Sequence, residues 1–264
     1  MFNQVTEEDY VLFFETTVNI FEDSYKAISD SDYYGFLYHA SVKFLRHVNT
    51  AEALMHGSTW RLQQEVRYDY FDQSSILALL RTTYENLVTT TYLFFEGEQP
   101  GRLKLYQYCG YKNRHKQKIK VTVPELQDKV NNEKLLIQSL EHDLIDLGVP
   151  KTHMKDWKPT HWYDLGVECK LPRFLCNNYK YWSSHAHTGF DSLMQVNSSE
   201  GNIPAFEKRR TSINYLFLCA SLAFFIKNYV EVLSKLGYSG VDAYDLSEVE
   251  RFLSYCSIID SYDE

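Results

Sequence analysis

Apolar residues recur every three to four positions along almost the whole chain, the period that gathers them on one face of an α-helix. Thr6-Glu7-Glu8-Asp9 reads as an N-cap followed by acids in the first turn, opening a helix to about Ser29. Ser31-Asp32 opens a second, which carries Phe36, Leu37, His39, Ala40, Phe44 and Val48 to about His56. A third, SSILALLRTTYENLVTTTYLFF, covers 74–95 and is stopped by Gly97 and Pro100. A fourth passes through the segment between Gln99 and Pro124. A fifth starts at Thr122-Val123-Pro124, with proline in the first turn, and ends at Gly148-Val149-Pro150. Residues 155–172 read as a loop with one short helix, and further helices are expected at about 172–188, 204–236 and 245–258. No stretch alternates with period two, no repeat is visible, and no linker divides the chain. The pattern predicts one all-α domain over 1–264, a bundle of about seven to nine helices.

Composition sharpens this. Aromatic residues make up 16% of the chain, with 21 Tyr, so a core threaded by side-chain hydroxyls is expected. Only 11 Gly and 6 Pro argue for long uninterrupted elements. Five cysteines (Cys109, Cys169, Cys176, Cys219 and Cys256) form no C-x-x-C pair, which argues against a disulfide framework or thiolate zinc site and for a reducing compartment. MFNQVTEEDY lacks the basic and apolar regions of a signal peptide, and the longest strongly apolar run, YLFLCASLAFFI at 215–226, is shorter than the roughly 20 residues a bilayer requires. A cytoplasmic protein with no membrane partner is therefore expected.

The net charge of −8 hides an asymmetry. Between Gln99 and Pro124 there is no acid but seven bases: Arg102, Lys104, Lys112, Arg114, Lys116, Lys118 and Lys120. The rest of the chain carries 20 bases against 35 acids. This basic island is interleaved with Tyr106, Tyr108 and Tyr111. That combination suits backbone contacts and base stacking with single-stranded RNA, and equally a solvated helix face.

Two helices depart from ordinary core. In the third, Ile76, Leu79, Leu80, Leu87 and Phe94 share one face and Leu77, Tyr84, Val88 and Tyr92 a second, which also holds Arg81 and Glu85. A helix apolar on most sides is buried, so this arginine and glutamate must be paired inside the protein, either as structural glue or as a site. The other helix contains YKYWSSHAHTG (179–189). Tyr179, Ser183 and His187 recur every four residues and share a face, while His185 points about 200° away. H-x-H does not converge on a metal within a helix, so no metal ligand is assigned.

The two segments together, LRTTYENLVTTTYLF and YKYWSSHAH, resemble an uncharacterised bacterial all-helical family, a domain of unknown function with the pattern R-x-x-x-E and later Y-x-x-L-S-x-x-V-H. WKPTHWYDL (157–165) is similar to that family's approach to its second motif, and the resemblance covers about 60–235. Position by position it selects Arg81, Glu85, Tyr179, Ser183 and His187, with Trp182 and Ala186 where aliphatic residues are more usual. The family is distantly similar to the HEPN superfamily. That likeness implies a HEPN-like core, a homodimer completing the site across a two-fold interface, and a metal-independent endoribonuclease or toxin effector of an antiphage system. The usual HEPN signature is an arginine followed, four to six residues on, by histidine. Here Lys180 precedes His185 at that spacing, so the cation would have to come from Arg81.

On that reading His187 is the general acid or base, because only histidine titrates unperturbed near neutral pH. Arg81 binds the scissile phosphate, Glu85 orients Arg81, and Ser183 and Tyr179 donate hydrogen bonds. Lys112, Arg114, Lys116, Lys118 and Lys120 hold the RNA. No cofactor is called for: the chain has no di-iron E-x-x-H pair, no H-E-x-x-H, no phosphate-cradling glycine loop and no G-x-S-x-G elbow. The competing class is non-enzymatic, a sensor or interaction protein working with a neighbouring defence-system protein, in which the Arg/Glu/Ser/His set only fixes helix pairing.

Overall fold

The computed structural model describes residues 5–61, 67–116, 124–186 and 203–262. Among these the chain is all-α apart from one short ribbon, as the periodicity predicts. The helices are α1 (Glu7–Ser29), α2 (Gly35–Met55), α3 (Gln73–Thr90), α4 (Pro100–Lys116), α5 (Pro124–Asp146), α6 (Trp162–Glu168), α7 (Arg173–Ala186), α8 (Ile203–Lys235) and α9 (Ser247–Tyr262). Strands β1 (Ser58–Arg61) and β2 (Arg67–Tyr70) pair antiparallel, Ser58 opposite Tyr70 and Arg61 opposite Arg67. Four residues are too few for a period of two to stand out from the helical pattern on either side.

Local chemistry sets the ends. The Thr6 N–H donates to Asp9 Oδ2 at 2.9 Å and the Asp9 N–H returns to Thr6 Oγ1, a reciprocal cap on α1. The Ser75 N–H donates to Asp72 Oδ1 at 3.0 Å and starts α3 one residue before the expected position. α3 then runs into a π-helical turn, Thr91–Phe95, every residue of which is buried. After α5, Gly148 takes φ +76° while the Val149 N–H returns to the Leu144 carbonyl at 2.9 Å, closing the helix in a left-handed turn.

The chain divides into two compact units. The larger takes in residues up to Phe95 and from Trp162 onward. In it α3 packs between α2 and α7, with α6 against α7, and α8 packs against α1, α3 and α9. Thr211–Lys235 of α8 is, by length and composition, apolar enough to cross a membrane, which the twelve-residue run read from the sequence is not. Yet 72% of its apolar window is buried inside the fold, and it forms the core axis of this unit. Phe225 on α8 stacks on Phe44 with ring centroids 4.6 Å apart and on Tyr229 at 5.4 Å, and meets Phe95 edge-on at 5.7 Å. The smaller unit, Glu96–His161, is built on α4 and α5 around Tyr108, Cys109, Leu140, Leu144 and Met154. All five cysteines are free and buried, as expected for a chain with no disulfide framework.

Truncating Phe225 to alanine removes one ring from three contacts in a sealed core and should cost about 3–5 kcal/mol. Urea unfolding checks this: the midpoint should fall with the slope unchanged, and a loss under about 1 kcal/mol would contradict the packing described.

Candidate functional site

α3 and α7 pack along their length, and this contact carries the predicted polar residues. Arg81 and Glu85 lie one turn apart on α3, Tyr179 and Ser183 one turn apart on α7. The Arg81 Nε–H donates to Glu85 Oε1 at 2.9 Å, and the Tyr179 hydroxyl donates to the same oxygen at 2.9 Å. The Arg81 guanidinium stands 5.8 Å from the centre of the Tyr179 ring. The structure thus brings three of the five residues together across two helices that are distant in sequence. Ser183 lies half-buried one turn further on and makes no hydrogen bond to the other three among the described residues. His187 falls outside the described residues, directly after the last one of α7.

The electrostatics follow from partial burial. The Arg81 and Glu85 side chains keep 19% and 23% of their surface in solvent, so the pair is neither sealed nor freely hydrated. Burial works against the charge on Arg81, but the hydrogen bond and the charge of Glu85 outweigh it and hold the guanidinium above its ordinary value. For Tyr179, burial first and then the hydrogen bond and charge of Glu85 push the hydroxyl up to about 12, against the opposing pull of Arg81. It is therefore a neutral donor at any physiological pH.

A layer of aromatic residues sets these groups in place. Tyr84, adjacent to Glu85, packs on Tyr179 with centroids 5.3 Å apart and meets Trp182 at 6.0 Å. Trp182 in turn stands edge-on to Phe217 of α8 at 4.9 Å. The Tyr84 hydroxyl donates to the Trp162 carbonyl at 2.9 Å and lies against Gly166 of α6. A Cβ at Gly166 would stand 2.1 Å from that oxygen, so only glycine admits the tyrosine. Tyr84 and Gly166 are thus site-building residues not singled out from the sequence. The only available signal for Tyr84 was its place on the same helix face as Arg81 and Glu85.

His185 behaves as the helix geometry predicts. It is buried, with Nδ1 bonded to the Tyr181 carbonyl at 3.0 Å and its ring against Tyr181 at 4.5 Å.

The basic island lies in the other unit. Lys112, Arg114 and Lys116 are exposed on α4, while Lys118 and Lys120 fall outside the described residues. Acids and aromatics of the same unit engage part of this charge. Arg114 pairs with Glu133 of α5 and covers Tyr111, Lys112 donates to the Tyr108 hydroxyl at 2.6 Å, and Lys104 pairs with Asp143 at 2.6 Å.

The Tyr179 hydroxyl supplies a prediction with a definite sign. Its folded-state value of about 12 lies above the ordinary 10, so its stabilisation is complete below pH 10 and is lost as pH rises through 12. Tyr179→Phe should lower the unfolding free energy by about 1 kcal/mol near neutral pH. The gap between variant and wild type should then close in alkaline solution. Denaturant unfolding of both proteins across that range measures it, and a gap independent of pH would contradict the assignment.

Residues 66–204, more than half of the chain, match the model of a family of unknown function, DUF5677. No curated protein and no solved structure matches the chain. The match takes in Arg81 and Glu85 on α3, the α6 segment, and all of α7 with the histidine that follows it. On that match, which spans both helices of the polar contact, the chain belongs to DUF5677, a family of unknown function.

Proposed function

We propose that the α3–α7 contact is a phosphodiester-binding site and that the protein is a metal-independent endoribonuclease of the HEPN kind. The observation that carries this is the partial exposure of Arg81 and Glu85 in a helix otherwise buried on most sides. A group that must meet a phosphate has to keep an opening to solvent, and this pair keeps one.

In this reading Glu85 bonds Arg81 Nε and fixes the plane of the guanidinium, which binds the non-bridging phosphate oxygens and the charge that develops on them. His187, four residues after Ser183 in the sequence, takes the proton from the ribose 2′-hydroxyl. The 2′-oxygen attacks phosphorus, the bond to the 5′-oxygen breaks, and that oxygen leaves protonated by solvent, giving a 2′,3′-cyclic phosphate and a 5′-hydroxyl. Tyr179, held neutral, supplies a hydrogen-bond donor. The exposed bases of α4 bind RNA backbone. Free cysteines fit a reducing cytoplasm, and a homodimer acting within a bacterial antiphage system fits the HEPN likeness.

A second reading has one specific observation in its favour. Glu85 Oε1 accepts from both helices, so the network is internally satisfied and serves equally to fix how α3 and α7 pair. The protein would then be a non-catalytic sensor or binding partner of a neighbouring defence protein.

Incubation of wild type, Arg81→Ala and His187→Ala with total RNA in EDTA separates the two. The ribonuclease reading predicts cleavage by wild type and a loss of about 100-fold or more in each variant, with both still folded. Equal, negligible cleavage by all three removes it, and unfolding of the variants supports the structural network.

A further inference from the structure

Also in the larger unit, the first turn of α1 meets the last turn of α2. Glu7 begins α1, Glu52 lies in the last turn of α2, and His56 is the residue that caps α2 at its C-terminus. Their ligand atoms all lie within 4.8 Å of one another. His56 Nε2 stands 2.6 Å from Glu52 Oε1 and 3.9 Å from Glu7 Oε1. We propose that Glu7, Glu52 and His56 bind a divalent transition-metal ion, best matched by Zn²⁺, which clips the start of α1 to the end of α2.

The donor set suits that ion. Zinc takes imidazole nitrogen and carboxylate oxygen at about 2.0–2.2 Å, commonly three protein ligands with water in the fourth place. Two atoms each that far from one ion stand at most about 4.4 Å apart, so the spread seen here closes with sub-ångström rotation of carboxylates. Glu7 and His56 have side chains more than half exposed, so their rotation is unhindered. Glu52 and His56 lie four apart on α2 and so share one helix face. The C-terminal end of α2 also presents its negative pole to a cation.

An independent feature points the same way. The Tyr10 hydroxyl, one turn after Glu7, is 3% exposed and has no hydrogen-bond partner. Burial first, and then the charge of Glu52, act on it. Tyr215 is likewise buried and packs against Tyr10 with ring centroids 5.8 Å apart. Two carboxylates beside a single imidazole leave an excess of negative charge that a cation would neutralise. The clip takes no part in the proposed RNA cleavage.

The test uses the full chain stripped with EDTA, exchanged into buffer and titrated with ZnCl₂ by calorimetry, with melting temperature followed in parallel. The expected result is one saturable site and a rise of several degrees at saturation. His56→Ala and Glu52→Gln should each weaken binding by about tenfold or more while the apo proteins keep the wild-type circular dichroism spectrum. Absence of saturable binding overturns the proposal, as does binding that survives unchanged in both variants, since other histidines would then hold the ion. In either case the trio is an ordinary hydrogen-bonded surface cluster. Cleavage of RNA in EDTA is read separately, so failure of one proposal does not touch the other.

Discussion

A carboxylate that is three-quarters buried must be met by donors, and Glu85 is met from both sides of a helix pair. One of its oxygens receives the Arg81 Nε–H from its own helix and the Tyr179 hydroxyl from α7. An exposed pair four residues apart would contribute only a few tenths of a kcal/mol, whereas removing one partner from a desolvated pair leaves a charge that costs several. The site's other features arrange themselves around this constraint. Tyr84 must pack behind Tyr179 to hold its hydroxyl at Glu85, Gly166 must lack a side chain for Tyr84 to reach the Trp162 carbonyl, and Trp182 must lean on Phe217 of the core helix.

How much of this was legible beforehand differs by element. Most helices were, where a local signal marks an end, as Thr6 with Asp9 and Gly148 act within one turn of the residues they terminate, whereas α2 starts at Gly35 without a side-chain cap, three residues after Asp32. The β-ribbon was not, since four-residue strands owe their existence to each other and not to a pattern either one carries. The length of the apolar stretch in α8 was underestimated because Thr211, Ser212 and Asn214 break the run in sequence. In the fold Ser212 donates to the Val5 carbonyl and Asn214 exchanges hydrogen bonds with Gln73, so polar atoms there are satisfied inside the core.

For the site, the i,i+4 spacing of Arg81 with Glu85 and of Tyr179 with Ser183 identified the right faces. What spacing could not provide is the meeting of two helices nearly a hundred residues apart, which the resemblance to a family supplied and the α3–α7 packing bears out. The Glu7, Glu52 and His56 cluster shows the same limit from the other side. Glu52 and His56 are visible as a pair four apart, but the third ligand comes from a helix 45 residues earlier and no motif announces it. Close approach of backbone, as at Gly166 and Tyr84, is equally silent in a single sequence.

The account rests on Arg81 being a guanidinium held for an incoming phosphate and not only for Glu85. The most direct measurement is the ¹⁵Nε–H resonance of Arg81 during titration with a 2′-O-methyl RNA oligonucleotide, which can bind but lacks the attacking hydroxyl. The account predicts a saturable shift of that resonance, lost in Glu85→Gln. A resonance unmoved while the oligonucleotide binds elsewhere on the protein would contradict it.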